Sequence, residues 1–295
     1  MSIVVGVDGS ASALGAIRTA TVEAVLRRTE LRIVHAFIWP LMHVPLGPSP
    51  IGPESGGLRH EAERILAEAV LTAAETDASV KTETVLVTGA APTVLIAEAV
   101  GADMVVLGDR GLGVVGDLLI GSVALRVIEH SAVPVLVVKG HTDPDGPVIV
   151  GFDGSTGAYR ALHQAFGECR LHGSPLVAAH VRGEFAAFDA MPSAVYERDP
   201  ALGPDERPFT RVFDTARRRH PGVRVTDEVL VGDVGETLVA RTSGAHMIVL
   251  GSHGRGGFPG LPIGSVSRYV LRHAHCPVLV APIIRAGERN RVGRP

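Results

Sequence analysis

The sequence predicts an α/β protein built as a tandem repeat of two doubly wound, five-stranded parallel sheets. Its two halves resemble one another, β-branched runs alternate with helical periods in each half, and a glycine-rich loop follows the fourth run of both. The repeat is read first, because self-similarity decides domain organisation before any local pattern does. IVVGVDGSASALGAI (3–17) resembles VIVGFDGSTGAYRAL (148–162), which sets Asp8 against Asp153. MVVLGDRGLGVVGDLLIGSVALRVIEHSAVPVLVV (104–138) resembles MIVLGSHGRGGFPGLPIGSVSRYVLRHAHCPVLVA (247–281), which sets Gly108 against Gly251. Both ends of each half match in the same order, so the expected domains are 1–140 and 147–284. A Gly/Pro/Asp turn cluster at 141–146 joins them, and a basic tail at 285–295 is expected to be disordered.

In the first half IVVGV reads as a strand and SALGAIRTATVEAVLRR as a helix. LRIVHAFI is the second strand, followed by a Pro/Gly-rich loop from Pro40 to Gly57. LRHEAERILAEAVLTAAE has helical spacing, and KTETVLV alternates as a strand. PTVLIAEAVG reads as a helix, MVVLG as the fourth strand, LLIGSVALRVIEHS as a helix and PVLVV as the last strand. Continuous apolar strands alternating with helices require a parallel sheet covered on both faces. Ligands of such sheets sit beyond the carboxyl ends of the strands, where the strand order reverses.

Composition narrows the classes of function. The 295 residues are 46% hydrophobic and 20% charged, which is ordinary for a globular chain able to bury a core. A formal net charge of −3 leaves no electrostatic footprint for nucleic acid or an acidic membrane surface. Two cysteines, Cys169 and Cys276, do not make a disulfide framework, so a cytoplasmic protein is expected. MSIVVGVDGS lacks a basic n-region, and no run of eighteen apolar residues suggests a membrane span.

The glycine loops sit where ligands of such sheets bind. The spacing G-x2-G-x9-G-S occurs as Gly108, Gly111, Gly121, Ser122 and again as Gly251, Gly254, Gly264, Ser265. Glycines there are expected to let backbone N–H groups face an anion, and the following helix opens at Ser122–Val123 or Ser265–Val266 with its dipole favouring phosphate. Asp8 and Asp153 serve either as ligand acceptors or as Asp-Gly-Ser turns, and Ser10 and Ser155 as helix caps rather than nucleophiles. His35 and His180 end apolar strand runs at matching positions and read as strand-end packing. HAHC (273–276) ends a helix, matches the metal-free EHSAV of the first half, and is not read as a metal site.

VGVDGS, the duplicated G-x2-G-x9-G-S and the terminal PVLVV strand resemble the ATP-binding branch of the universal stress protein family, in the tandem arrangement of its actinobacterial members. The resemblance implies the strand order 3-2-1-4-5 in an α-β-α sandwich and ATP, with Mg²⁺, as ligand. Carried over by position, Gly6, Asp8, Gly151 and Asp153 border the nucleoside, and Ala36 and Val181 approach the base. Gly108, Asp109, Arg110, Gly111, Leu112 and Gly113 line the phosphates in the first half, with Gly121, Ser122 and Val123 at the helix start. Gly251, Ser252, His253, Gly254, Arg255 and Gly256 do so in the second, with Gly264, Ser265, Val266 and Ser267. Asp109 stands where the family has Ser or Thr, and Ala124 where Ser267 offers a second hydroxyl, so the second site is expected to bind at least as well. The resemblance also implies pairing of the apolar terminal strands into an intramolecular pseudo-dimer, and a homodimer. A nucleotide-gated stress regulator is the expected function, with a slow ATP hydrolase or a nucleotide-free interaction module as alternatives. No P-loop is present and no group is placed to activate a water.

Overall fold

The computed structural model describes residues 2–37, 56–111, 120–182, 210–254 and 263–282, except for the side chains of 56–58, 210 and 211. The chain divides into two compact units, one centred on Met1–Lys139 and the other on Gly140–Ala281. The long loops after the second strands, residues 112–119 and 255–262 of the glycine loops, and the tail lie outside the described residues.

The first unit runs β1 (Ser2–Gly6), α1 (Ala11–Arg27), β2 (Glu30–Phe37), α2 (Gly56–Thr76), β3 (Thr82–Thr88), α3 (Ala91–Glu98), β4 (Met104–Gly108), α4 (Ser122–His130) and β5 (Val135–Val138). The second repeats it as β6 (Val148–Gly151), α5 (Thr156–His172), β7 (Leu176–Arg182), α6 (Thr210–Arg219), β8 (Val225–Val231), α7 (Val234–Arg241), β9 (Met247–Gly251), α8 (Ser265–His273) and β10 (Val278–Ala281). Every strand pair within a unit is parallel, and both units have the order 3-2-1-4-5: β3-β2-β1-β4-β5 and β8-β7-β6-β9-β10. The order reverses beside β1 and β6, so a crevice opens between β1 and β4, and between β6 and β9, at their carboxyl ends.

Burial explains why the central strands read as unbroken apolar runs. Ile3, Val4 and Val5 of β1 and Met104, Val105 and Val106 of β4 are all inaccessible to solvent, since helices cover both faces. Val148, Val150, Ile248 and Val249 are likewise inaccessible in the second unit. The edge strands β3 and β8 have no buried position, every residue being half-buried or exposed. Both cysteines are buried and unpaired by disulfide. Among the described residues no helix is long and apolar enough to cross a membrane.

The turn after the first strand of each unit is built alike. Asp8 Oδ1 accepts from the Ser10 N–H at 3.0 Å, and Ser10 Oγ accepts from the Ala13 N–H at 3.2 Å, capping α1. Asp153 Oδ1 accepts from the Ser155 N–H at 2.9 Å, and Ser155 Oγ from the Ala158 N–H at 3.2 Å, capping α5. These serines are therefore helix caps by geometry. Replacing either by alanine is expected to lower stability by about 1 kcal/mol, checked by urea unfolding of Ser10→Ala and Ser155→Ala.

Candidate functional site

At the crevice of the first unit the described residues enclose a cavity of about 460 Å³. That falls within the roughly 300–1,000 Å³ usual for small-molecule sites. Its apolar wall is Val7 directly after β1, Val34 and Ala36 from β2, Ala13 from α1, and Ala91, Leu95 and Leu107 from α3 and β4. Its polar rim is Asp8, Arg110, Gly111 and the start of α4 from Gly121 to Ala124. The structure thus brings together Gly6, Asp8, Ala36, Gly108, Arg110, Gly111, Gly121, Ser122 and Val123, while Asp109 stands just behind them. Leu112 and Gly113, with Arg255 and Gly256 in the second half, lie outside the described residues. Sequence reasoning missed the α3 wall. Ala91 and Leu95 look like ordinary core residues of a short apolar helix, and only the fold carries them to the crevice.

The start of α4 has no side-chain cap, a feature shared with α3, whose N-cap is Ala90. The α4 N-cap, Gly121, has extended backbone (φ −60, ψ 139) and makes no side-chain capping bond. α8 begins the same way at Gly264 (φ −61, ψ 151). By contrast, Ser10, Ser155 and Asp233 cap α1, α5 and α7. The first N–H groups of any helix lack an intrahelical partner. Among the described residues, α4 and α8 have neither a side-chain cap nor an acidic residue in the first turn, and the start of α4 lines the crevice with its positive end. The Gly121 and Gly264 N–H groups are themselves used, donating to the Asp109 and Ser252 carbonyls at 2.8 Å and anchoring the loop to the helix start.

The glycines serve different purposes. A Cβ on Gly108 would lie 2.8 Å from the Ser12 carbonyl carbon, and one on Gly251 would lie 2.6 Å from that of Gly157. Gly108 and Gly251 are thus required by the close packing of β4 on α1 and β9 on α5, rather than by exposure of an N–H to a ligand. Cβ atoms on Gly6 and Gly151 would lie 2.7 Å from the Leu107 and Leu250 side chains. On Gly111 and Gly254 they would meet Oδ2 of Asp8 and Asp153, at 2.5 and 2.6 Å, so the loop passes directly over the carboxylate in both halves. Gly121 and Gly264 differ from all of these. Their Cβ positions have only ordinary contacts, at 3.4 and 3.5 Å, and their φ is negative. Nothing within the described protein forbids a side chain there.

The Asp109 carboxylate is held by Ser12 and Arg110. Ser12 Oγ donates to its Oδ1 at 2.8 Å, and Arg110 Nε lies 3.3 Å from its Oδ2. Ser12 sits in the first turn of α1, whose dipole also favours the carboxylate. The second half replaces this pair as a unit: Gly157 stands at the Ser12 position and Ser252 at that of Asp109. Ser252 is buried, with its Oγ 3.3 Å from His253 Nδ1. Ser267 Oγ donates to the Gly251 carbonyl at 2.8 Å, so its single proton ties α8 to β9. Val181 lies at the end of β7, paired with Leu230 of β8, as Ala36 pairs with Val87. Ser265 and Val266 open α8 as Ser122 and Val123 open α4.

His35 and His180 have a more definite role than strand-end packing. His35 Nδ1 lies 2.8 Å from the Val7 carbonyl, and His180 Nδ1 lies 2.8 Å from the Phe152 carbonyl. A carbonyl only accepts, so Nδ1 carries the proton in both rings. Each ring thereby pins the residue immediately before the crevice aspartate.

The universal stress protein family model matches residues 1–139 and 146–282. The universal stress protein Rv2005c of Mycobacterium tuberculosis is 34% identical over 300 residues, covering 95% of this chain and 96% of its own. A crystal structure of a universal stress protein from Archaeoglobus fulgidus superposes with a TM-score of 0.69 at 20% identity, over 95% of this chain and 96% of that one. A shorter chain, a universal stress protein solved in complex with cAMP, matches 47% of this chain and 95% of its own at 29% identity and a TM-score of 0.36.

The two kinds of glycine are expected to separate in stability measurements. Gly108→Ala and Gly251→Ala should each cost about 1–3 kcal/mol, because backbone must move to admit the methyl group. Gly121→Ala and Gly264→Ala should change stability by less than about 1 kcal/mol, the weaker alanine cap being offset by a less flexible unfolded chain. Equilibrium denaturation of the four variants checks both expectations.

Proposed function

The chain belongs to the universal stress protein family, and from that premise we propose that it is a nucleotide-gated stress regulator with one ATP site per half, the ATP carried with Mg²⁺. The observation that carries the proposal is the pair of uncapped helix starts at Gly121–Ser122 and Gly264–Ser265, each at a topological switch point. Such an N-terminus is suited to phosphate through its unpaired N–H groups and its dipole. In the first half the adjoining cavity supplies the remaining chemistry. Val7, Ala36 and Leu95 offer an apolar slot for a base, and the Asp8 carboxylate lies where it accepts from a ribose hydroxyl or base N–H. Arg110 brings positive charge to the phosphates, with part of its field offset by Asp109.

The second half repeats the aspartate-over-glycine arrangement at Asp153 and Gly254 and has a neutral Ser252 in place of Asp109. Removing that carboxylate from the phosphate side supports tighter binding at the second site. Ser267 is not the source of the difference, since its hydroxyl proton is committed to Gly251. Regulation then follows from occupancy: a nucleotide that satisfies the start of α4 or α8 stabilises the arrangement it binds.

Calorimetric titration of ATP with Mg²⁺ into nucleotide-stripped protein tests the proposal. Two sites are expected in the wild type. Gly121→Ala and Gly264→Ala should each weaken one site by at least about tenfold, equivalent to 1.4 kcal/mol, with Gly264→Ala affecting the tighter one. Absence of both heat and thermal stabilisation would overturn the ATP reading in favour of a nucleotide-free interaction module.

A further inference from the structure

The second unit carries a second set of cavities, away from the crevice and without counterpart in the ligand chemistry above. Between α5 and α6 lies a cavity of about 590 Å³ whose walls include Tyr159, Leu162, Phe166, Val212 and Ala216. Beside it, where α5 and α6 end and the chain turns into β7 and β8, lies another of about 420 Å³ lined by Arg170, Ser174, Arg219 and Arg224. Arg219 and His220 line both, so the apolar cavity and the basic one adjoin. No carboxylate is among the described residues lining either.

His220 stands at the junction. Its ring stacks on Phe166, with centroids 4.7 Å apart and planes 18° from parallel. Among the described residues its buried Nδ1 has no hydrogen-bond partner, and neither does Ser174 Oγ, on a residue only 6% exposed. Buried polar atoms without partners are rare in folded proteins, and two beside one basic cavity indicate a missing partner. Arginine in the last turn of a helix is favoured by the helix dipole alone, which accounts for Arg170 and Arg219 taken singly. It does not account for Arg224, which lies directly before β8, or for the unsatisfied serine and histidine. Burial, followed by the charges of Arg170, His163 and Arg219, holds the His220 pKa below its ordinary value. A neutral imidazole offers one N–H donor, and the charges around this ring are positive. Cys169 also lines the basic cavity, but burial and the neighbouring Glu168 push its thiol up to about 12, so it is not a nucleophile there.

We propose that these adjoining cavities bind an amphipathic carboxylate, its apolar body between α5 and α6 and its head group among Arg170, Arg219 and Arg224, within reach of Ser174 and His220. Charge complementarity selects an anion, and the apolar walls select one with a hydrocarbon or aromatic body rather than a bare ion. The duplication argues that the set is specific to this half: Thr21 and Val25 stand where Phe166 and Arg170 do.

Decanoate is the probe, titrated calorimetrically into the full-length protein below its micelle concentration. Saturable binding of one decanoate per chain is expected, with decanol and inorganic phosphate each at least about tenfold weaker, because neither offers both the charge-assisted bonds and the apolar burial. The Arg170→Gln/Arg224→Gln double variant, altered only at exposed side chains, should keep its melting temperature and lose at least about tenfold in decanoate affinity. Ala216→Trp should block binding by filling the apolar cavity, and ATP binding should be unchanged in both variants. Absence of saturable binding, equal binding of decanol or of phosphate, or undiminished decanoate binding by the arginine variant would overturn the proposal.

Discussion

The crevice in each half depends on how closely the fourth strand approaches the first helix. Gly108 rests on the backbone of Ser12, and Gly251 on that of Gly157, at distances that exclude any side chain. That contact fixes where the glycine loop leaves the sheet and therefore where it crosses the aspartate after the first strand. It also fixes where the loop returns, because the carbonyl of the next residue, Asp109 or Ser252, accepts from the N–H of Gly121 or Gly264. The helix start is thus delivered to the switch point already anchored, with its next N–H groups uncapped. A side chain at Gly108 or Gly251 would displace this whole chain of contacts, whereas one at Gly121 or Gly264 would meet only ordinary contacts.

Within that shared frame the halves have diverged in linked positions. A carboxylate at Asp109 beside an anion site would be costly in isolation. The first unit offsets it with the Ser12 hydroxyl, the start of α1 and Arg110. The second unit has neither Ser12 nor Asp109 equivalents, and uses the position of Asp109 for a buried serine. The two crevices therefore differ in electrostatics over one backbone plan. The α5–α6 side diverged further, with Phe166, Arg170 and His220 creating cavities around a helix pair whose first-unit residues differ.

Much of the fold was legible in the sequence because parallel strands buried on both faces leave an unmistakable record: VIVG and MIVLG, like IVVGV and MVVLG, admit no polar residue. The repeat doubled that record. The candidate site was legible as a loop and a helix start, since G-x2-G-x9-G-S follows the fourth strand and α4 and α8 begin after its last glycine. What the sequence could not convey was why each glycine is present. Gly108 and Gly121 belong to one motif, yet the first answers a packing demand and the second leaves room, a distinction made by Ser12, ninety-odd residues away. Ala91 and Leu95 were equally silent, because a cavity wall and a core contact use the same residue types. The hydroxyl of Ser267 looked available for a ligand until its bond to the Gly251 carbonyl was seen. Leu112, Gly113, Arg255 and Gly256 fall outside the described residues and carry no structural argument.

The central claim is that two uncapped helix starts hold the phosphates of a nucleotide, and backbone amide resonances report on it directly. In ¹⁵N–¹H spectra of the full-length protein titrated with ATP and Mg²⁺, the account predicts the largest shifts at the Ser122, Val123, Ser265 and Val266 amides. Those same amides should become protected from hydrogen exchange. Shifts concentrated elsewhere, with these four amides unmoved at saturating ATP, would contradict it.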